Sequence, residues 1–555
     1  MSPRTLVQLL VVYTTLVVLG CLGVAAAVRL RPPAEPTFIA SRWKEGKLLG
    51  RAVTRDASGA PLEELGGTIV FERVTGESWL PSFSETLQSI GLVPARDGVR
   101  VELDGKSAYV TPDDLLARQG YDHGMNVDAI SLTMGVDMPL VVAIAADQLG
   151  RNPLDVRDHA RFRRIRTERI IPGALPDLPA NATTFDDTLA KRFVLDGARY
   201  LARGVSPDGR FRYLVNAPTN QALGGYDWPR HAGATYFLVQ ASTFAMTENM
   251  SDAAAMRQAA MRAAALLRGP ALVPCGAHKC IGESEPFEIG SIALTVIAFT
   301  QIGKDRIDPA YAPLVRELCD TLLAQQREDG EFMHQLGRDG TPVDVQLPYF
   351  SGEAALALSR AHALLGDPRY LAAAERAVHH LVGPAWHFFG DRYYFGEEHW
   401  TCQAAGELFD RWTDTGARDE ALDFCVRWQA FSRRLQQHEG ECAFDCDGGL
   451  GVGPLITPRL TPVASRCEAG VATLDAATKA HIDSAELDRL RAQLRRSLAL
   501  LFRQQLHGRL DHLLADPDAV RGAMPGTEVD WQLRIDYVQH AGSAMLRWID
   551  LPATE

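Results

Sequence analysis

Apolar positions along the C-terminal two thirds of the chain follow one repeating plan. Six times a phrase of small residues and glycine leads into a helix that is apolar nearly all round. The copies are Arg230-His231-Ala232-Gly233, Glu288-Ile289-Gly290, Tyr349-Phe350-Ser351-Gly352-Glu353, Cys402-Gln403-Ala404-Ala405-Gly406, Arg466-Cys467-Glu468-Ala469-Gly470 and Gln539-His540-Ala541-Gly542. The marker glycines recur every roughly 54–72 residues, room for one helical hairpin with its loops. Runs such as Ala293–Ile297 and Ala354–Leu358 follow them. A helix with no polar face needs cover on every side, so these are predicted as inner helices. Amphipathic stretches such as Tyr370–Val378 are predicted as the outer ones. Glycine turns followed by an aromatic or apolar residue end the outer helices, at Ser206–Phe211, Gln325–Phe332 and Gln504–Leu510. The pattern predicts an (α/α)6 toroid over residues 187–550, each inner helix opened by its glycine phrase and all six phrases lining one rim.

The rest of the chain is different. Residues 51–172 read as a small α+β module, with a strand at Gly67–Phe71. A hairpin joins Val99–Leu103 to Ser107–Val110 through Asp104-Gly105, and Thr111 caps a helix starting at Pro112. Pro139–Leu149 is a helix or a strand. The Pro-rich phrase after Arg31 predicts a linker over 29–50. The fold class is therefore mainly α: a toroid preceded by a small α+β domain and an N-terminal transmembrane helix. For that helix, Thr5 to Val28 contains no charged residue and is long enough to cross a bilayer. The span 1–28 is predicted as a single-pass anchor in the cell membrane. A cleaved signal, or a lipoprotein site at Val18-Leu19-Gly20-Cys21, is the alternative.

Composition adds little to this division. At 46% hydrophobic and 23% charged residues, the chain is neither disordered nor a multi-span membrane protein. A net charge of −12 argues against a nucleic-acid partner. Cysteine usage is more telling. Setting Cys21 aside leaves eight, and the close pairs Cys275/Cys280 and Cys442/Cys446 suit disulfides in an oxidising compartment. On that reading the body is expected outside the cytoplasm, in a periplasm-like space; scattered reduced cysteines in a cytosolic enzyme are the alternative reading. Asp445 and Asp447 beside two glycines form an acidic turn or, alternatively, a calcium loop.

If the inner helices run parallel, their N-termini and the polar residues beside them meet at one basin. Those residues include Asp227, Arg230, His231, Glu288, Tyr349, Glu353, Glu398, His399, Gln403, Arg466, Glu468, Asp536 and His540, interleaved with aromatics such as Trp228, Trp400, Trp531 and Tyr537. Carboxylates beside aromatic faces suit a pyranose, whose CH groups stack on rings while its hydroxyls take hydrogen bonds. Glycoside cleavage would need two carboxylates, Glu353 with Glu398 or Glu468. Epimerisation or elimination would use His231, His540 or Tyr349 as acid/base, with Arg230 or Arg466 neutralising a uronate. Asp227, Trp228, Arg230, Glu288, Trp400, Gln403, Arg466 and Asp536 are the expected substrate-binding residues.

The phrases Tyr-Phe-Ser-Gly-Glu-Ala-Ala-Leu-Ala-Leu from Tyr349 and Gly-Asp-Pro-Arg-Tyr-Leu-Ala-Ala-Ala-Glu-Arg-Ala from Gly366 resemble the (α/α)6 barrels of six-hairpin glycosidases, N-acylglucosamine 2-epimerase-like proteins and the C-terminal domain of glucuronyl C5-epimerases. The resemblance covers residues 187–550. It implies the toroid and a polysaccharide or glycan substrate, handled by a hydrolase, epimerase or lyase; no cofactor is expected. A non-catalytic glycan-binding or export-assembly component is the second function class. A third expectation is zinc, held by Cys402, Cys467 and His540, the set that lanthionine cyclases use on a related toroid. The Trp-Cys-x-Gly and Cys-His-Gly phrases of those cyclases are missing here, and an oxidising location favours a Cys402–Cys467 bridge instead.

Overall fold

The computed structural model describes residues 28–81, 84–121, 124–127, 130–133, 135–173, 181, 183–383, 398–451 and 456–552. These fall into two compact units, one holding the residues before 174 together with Ile456, Thr457 and Arg509–Asp516, the other the remaining residues. Among the described residues no helix is long and apolar enough to cross a membrane. The expected anchor lies outside them but for Val28.

The first unit is built on one antiparallel sheet. Its strands are β1 (Phe38–Lys44), β2 (Lys47–Thr54), β3 (Thr68–Trp79), β4 (Asp97–Leu103), β5 (Lys106–Val110) and β6 (Arg161–Ile170), in the order β2-β1-β3-β6-β4-β5. The β4–β5 hairpin turns at Asp104 and Gly105, both at positive φ, which matches the twist of the flanking strands. Thr111 caps the next helix, and Asp114 returns the bond to the Thr111 N–H at 2.8 Å. Pro139–Leu149 falls within a helix, Met138–Leu149. The linker expected over 29–50 is corrected: after the prolines, Phe38-Ile39-Ala40 begins a strand that pairs on both sides. Under the sheet Asp113 is fully buried and takes bonds from Arg169 and, at 2.8 Å, from His512. Burial, reinforced by Asp113, pushes the Glu72 carboxyl up to about 8.

The second unit is a ring of hairpins. Helices α1 (Asp187–Arg203), α2 (Trp228–Thr247), α3 (Ala253–Arg268), α4 (Ile289–Lys304), α5 (Ala312–Gln325), α6 (Phe350–Leu365), α7 (Pro368–Val382), α8 (Glu398–Leu408), α9 (Thr415–Arg434), α10 (Leu460–Lys479), α11 (Ser484–Gln504) and α12 (Ile535–Ile549) alternate outer and inner. Each even-numbered helix packs on the next, α2 on α4 and onward, and α12 returns to α2, so the inner ring closes. The odd-numbered helices cover it. On α4 the first fourteen residues, Ile289 to Ile302, are all buried, as a helix sheathed on every side must be.

The glycine phrases mark close packing rather than helix starts. Gly290 and Gly352 lie in the first turn of α4 and α6, but Gly233, Gly406, Gly470 and Gly542 sit farther along their helices. What they share is contact. A Cβ on Gly290 would lie 2.5 Å from the Phe350 ring, and one on Gly352 would lie 2.7 Å from Trp400 Cβ and 3.0 Å from the Thr401 backbone nitrogen. Gly233, Gly406 and Gly542 likewise face the adjacent inner helix, and Gly470 faces outer residues Gln429 and Leu494. Because backbone cannot swing aside, Gly352→Val is expected to cost about 1–3 kcal/mol although valine is the better helix former. Urea unfolding reads this directly; a variant as stable as wild type would contradict the packing described.

Turn glycines seal the outer ring. Gly209 (φ 92°) and Gly330 (φ 97°) adopt the left-handed backbone, and a Cβ on either would strike the carbonyl of Arg262 on α3 or Arg376 on α7. Gly448 and Gly522 take the same place against α11 and α1, so the last hairpin uses Gly522 where the sequence pointed to Gly508.

The cysteines partly depart from expectation. Cys275–Cys280 and Cys442–Cys446 are disulfides as their spacing indicated, but Cys402 bonds Cys425 on the outer helix α9. Cys319 and Cys467 are buried free thiols, so eight cysteines do not make four bridges. The acidic turn is held by ion pairs, Asp445 with Arg503 at 2.8 Å and Asp447 with Arg496 at 2.5 Å, as the acidic-turn alternative expects.

Candidate functional site

The N-terminal ends of all six inner helices line one cavity of about 510 Å³. Its wall includes Asp227 and Arg230 at α2, Glu288 at α4, Tyr349 and Glu353 at α6, His399 and Trp400 at α8, Arg459 and Arg466 at α10, and Asp536 and His540 at α12. The volume is in the range usual for small-molecule sites, ~300–1,000 Å³.

On one side stands a histidine–carboxylate pair. His540 Nδ1 lies 2.7 Å from Glu468 Oε2, and Glu468 is 1% exposed on α10. With a carboxylate accepting at Nδ1, the neutral ring carries its proton there and leaves the lone pair on Nε2. His399 is the neighbouring imidazole, its ring centroid 5.8 Å from that of His540. Trp400 lies 5.9 Å from His540, and Tyr349 meets His399 edge-on at 5.4 Å. Tyr349 holds φ +83°, a strained value for a bulky residue, and so stands at the cavity wall as the residue before α6. Glu353, in the first turn of α6, is 5% exposed.

On the other side lies a charged relay. Asp227 caps α2 by accepting the Arg230 N–H at 3.1 Å and pairs with the Arg230 guanidinium at 2.7 Å. Arg230 also approaches Asp536 at 3.5 Å, and Arg534 grips the same carboxylate with two bonds of 2.5 and 2.8 Å. Glu288 begins α4 but does not cap it with its side chain. Burial, with Asp227 as the second cause, raises its carboxyl pKa. Arg466 bonds the Pro462 carbonyl at 3.0 Å and faces the cavity.

Several expected site residues are elsewhere. His231 is fully buried, with Nε2 3.1 Å from the Ala263 carbonyl of α3 and Nδ1 2.6 Å from the Tyr226 hydroxyl. It ties an inner helix to an outer one and is not an acid/base candidate. Trp228 packs on Tyr226 and His231 and does not line the cavity. Gln403 is buried within α8, and Glu468 acts behind His540, not at the cavity wall. The Glu398 side chain lies outside the described residues. The zinc set is dissolved because Cys402 is in a disulfide, and no three His, Cys, Asp or Glu side chains among the described residues could hold a metal ion. Arg459 and Arg534 were not singled out by the sequence, and Gln539 entered only as the first residue of its glycine phrase. Each stands at a helix start or glycine phrase, but nothing in its local pattern separates it from a surface residue.

His231 gives a pH prediction. Burial holds its pKa at about 4, below the ordinary ~6.5, so between those values the unfolded chain binds more protons. Stability therefore falls as pH drops through this window, by about 3 kcal/mol at ~1.36 kcal/mol per pH unit. His231→Gln is expected to be weaker at pH 7 but to lose less on acidification. Equal losses in urea titrations at pH 7 and pH 4 would refute this.

No protein-family model matches the sequence, and no curated protein matches it. Solved structures are similar in fold. They include a D-mannose isomerase (13% identity, TM-score 0.47, 67% of this chain and 100% of the other). A sugar epimerase from a ruminal bacterium is similar at 10% identity and TM-score 0.49, over 66% of this chain and 100% of the other. Cellobiose 2-epimerase from Spirochaeta thermophila is similar at 16% and 0.45, over 65% and 96%. The toroid itself is defined by the closed ring of helices.

Proposed function

We propose that the protein is a carbohydrate-active enzyme that moves a proton at a sugar carbon, as an isomerase or epimerase, rather than a glycoside hydrolase. The observation behind this reading is the His540–Glu468 pair facing His399 in a cavity walled by Trp400, Tyr349 and Tyr537. His540 Nε2 takes the proton next to the carbonyl, and Glu468 steadies the imidazolium that forms. His399 returns a proton to the intermediate. The negative charge developing on the sugar oxygens is met by Arg466 and by the positive ends of the converging helices. Aromatic rings hold the apolar faces of the sugar.

The test is exchange at carbon. Glucose, mannose, N-acetylglucosamine and glucuronate, each incubated with the protein in D2O, are followed by NMR for loss of the C–H signal next to the carbonyl. Exchange in one of them is expected. Binding without exchange would favour a receptor for glycans, and hydrolysis of an aryl glycoside would favour the carboxylates instead.

We further infer that the uncharged stretch Thr5–Val28 anchors the body on the outer side of the cell membrane. Three disulfides support an oxidising location. Membrane fractions should retain the protein after alkaline carbonate washing; its release would remove the anchor.

A further inference from the structure

The uncharged stretch Thr5–Val28 runs into the first unit without a spacer. Val28 is already tied to the sheet. Its carbonyl accepts Arg164 Nη2 at 3.4 Å, and Nη1 of the same guanidinium reaches the Gly91 carbonyl at 3.1 Å. Three residues on, Arg31 exchanges both backbone bonds with Glu77 of β3, at 2.9 and 2.7 Å. That pairing is antiparallel, so the chain followed back from Arg31 to Val28 heads for the end of β3 at Trp79. Register sets what else stands there. Trp79 is opposite Arg163, and Ser78 opposite Arg164, near the start of β6. The short helix Glu85–Ile90 finishes beside them, because Gly91 at its end takes the Arg164 bond. Two large apolar side chains are exposed at this end of the sheet, Trp79 at 38% and Leu87 at 42%. Arg29, Arg161 and Arg163 are exposed as well. Of the carboxylates here, Glu77 and Glu102 are paired with Arg100, and Glu85 is exposed.

We infer that this end of the first unit is a membrane-contact surface whose partner is the phospholipid headgroup layer. The inference rests on the anchor proposed above and goes beyond it, since it puts the sheet itself among the headgroups. With Val28 at the edge of the hydrocarbon, three residues of chain reach about 10 Å at most before Arg31 is fixed to β3. The polar layer of one leaflet is roughly 5–7 Å deep, so it takes up most of that reach. The bond from Arg164 to Val28 removes the remaining slack. The side chains at this end suit such a layer. An indole settles where its ring meets hydrocarbon and its N–H meets polar groups, and leucine buries beside it. Arginine stems lie along the apolar boundary while their guanidinium groups reach lipid phosphates.

The test uses the full chain in vesicles of phosphatidylcholine and phosphatidylglycerol, with bromine on the acyl carbons nearest the headgroup as a contact quencher of indole. Thr5–Val28 holds no tryptophan, so the anchor itself gives no signal. Brominated lipid is expected to quench part of the tryptophan emission, and Trp79→Phe to remove most of that part. Leu87→Trp, which leaves Trp79 in place, should add to it. Equal quenching in wild type and in a Trp79→Phe variant of unchanged melting temperature overturns the proposal, as does a Leu87→Trp variant without any gain. Release of the chain by alkaline carbonate defeats the anchor alone, and the released chain is then floated with the same vesicles. Flotation that Trp79→Ser/Leu87→Ser weakens by about tenfold or more sustains the surface. A released chain that does not float, or that floats equally well with both serines in place, overturns it.

Discussion

His540→Asn is expected to cut carbon–hydrogen exchange by about 10²–10⁴-fold with the fold intact. Asparagine preserves much of the volume and a hydrogen-bonding group toward Glu468 but has no lone pair able to take a carbon-bound proton. Glu468→Gln should cost less, because it removes the orienting charge and leaves the imidazole in place. The two act as one unit, joined by a 2.7 Å bond, so the double variant should be no slower than His540→Asn alone. Additive losses would mean that Glu468 works separately from His540. Retained exchange in His540→Asn would move the base to His399.

Removing the Cys402–Cys425 disulfide is expected to lower stability by about 3 kcal/mol, following the loop-entropy estimate for a separation of 23 residues. It should also lower activity. Cys402 lies one helical turn beyond His399, and its partner is on the outer helix α9, so the bond pins the segment that presents His399 and Trp400. Cys402→Ala/Cys425→Ala is the right variant because it leaves no stray thiol. The Cys275–Cys280 link spans only five residues and its removal should cost less. Matching melting temperatures for wild type and the Cys402/Cys425 variant would show that α8 is held by packing alone.

The chain's own pattern determined the ring. All-round apolar helices alternating with amphipathic ones have no stable arrangement except two concentric layers, and their spacing gave six hairpins. The hairpin at Asp104-Gly105 and the cap at Thr111 were equally legible, because turn and cap chemistry are local. Azimuth around a helix was not. His231 and His540 each stand two residues before a marker glycine, yet one is buried against α3 and the other opens on the cavity. Gly233 faces α12 and Gly542 faces α2, so the same spacing counted from opposite flanks turns one histidine outward and the other inward. Cys402 met Cys425 rather than Cys467 for the same kind of reason: the outer helix packed behind it supplies the partner. Sequence thus fixes which helices exist and which side of each is apolar. Which polar residue reaches the shared hollow depends on how each helix is rotated against two neighbours, and only packing of the closed ring sets that angle.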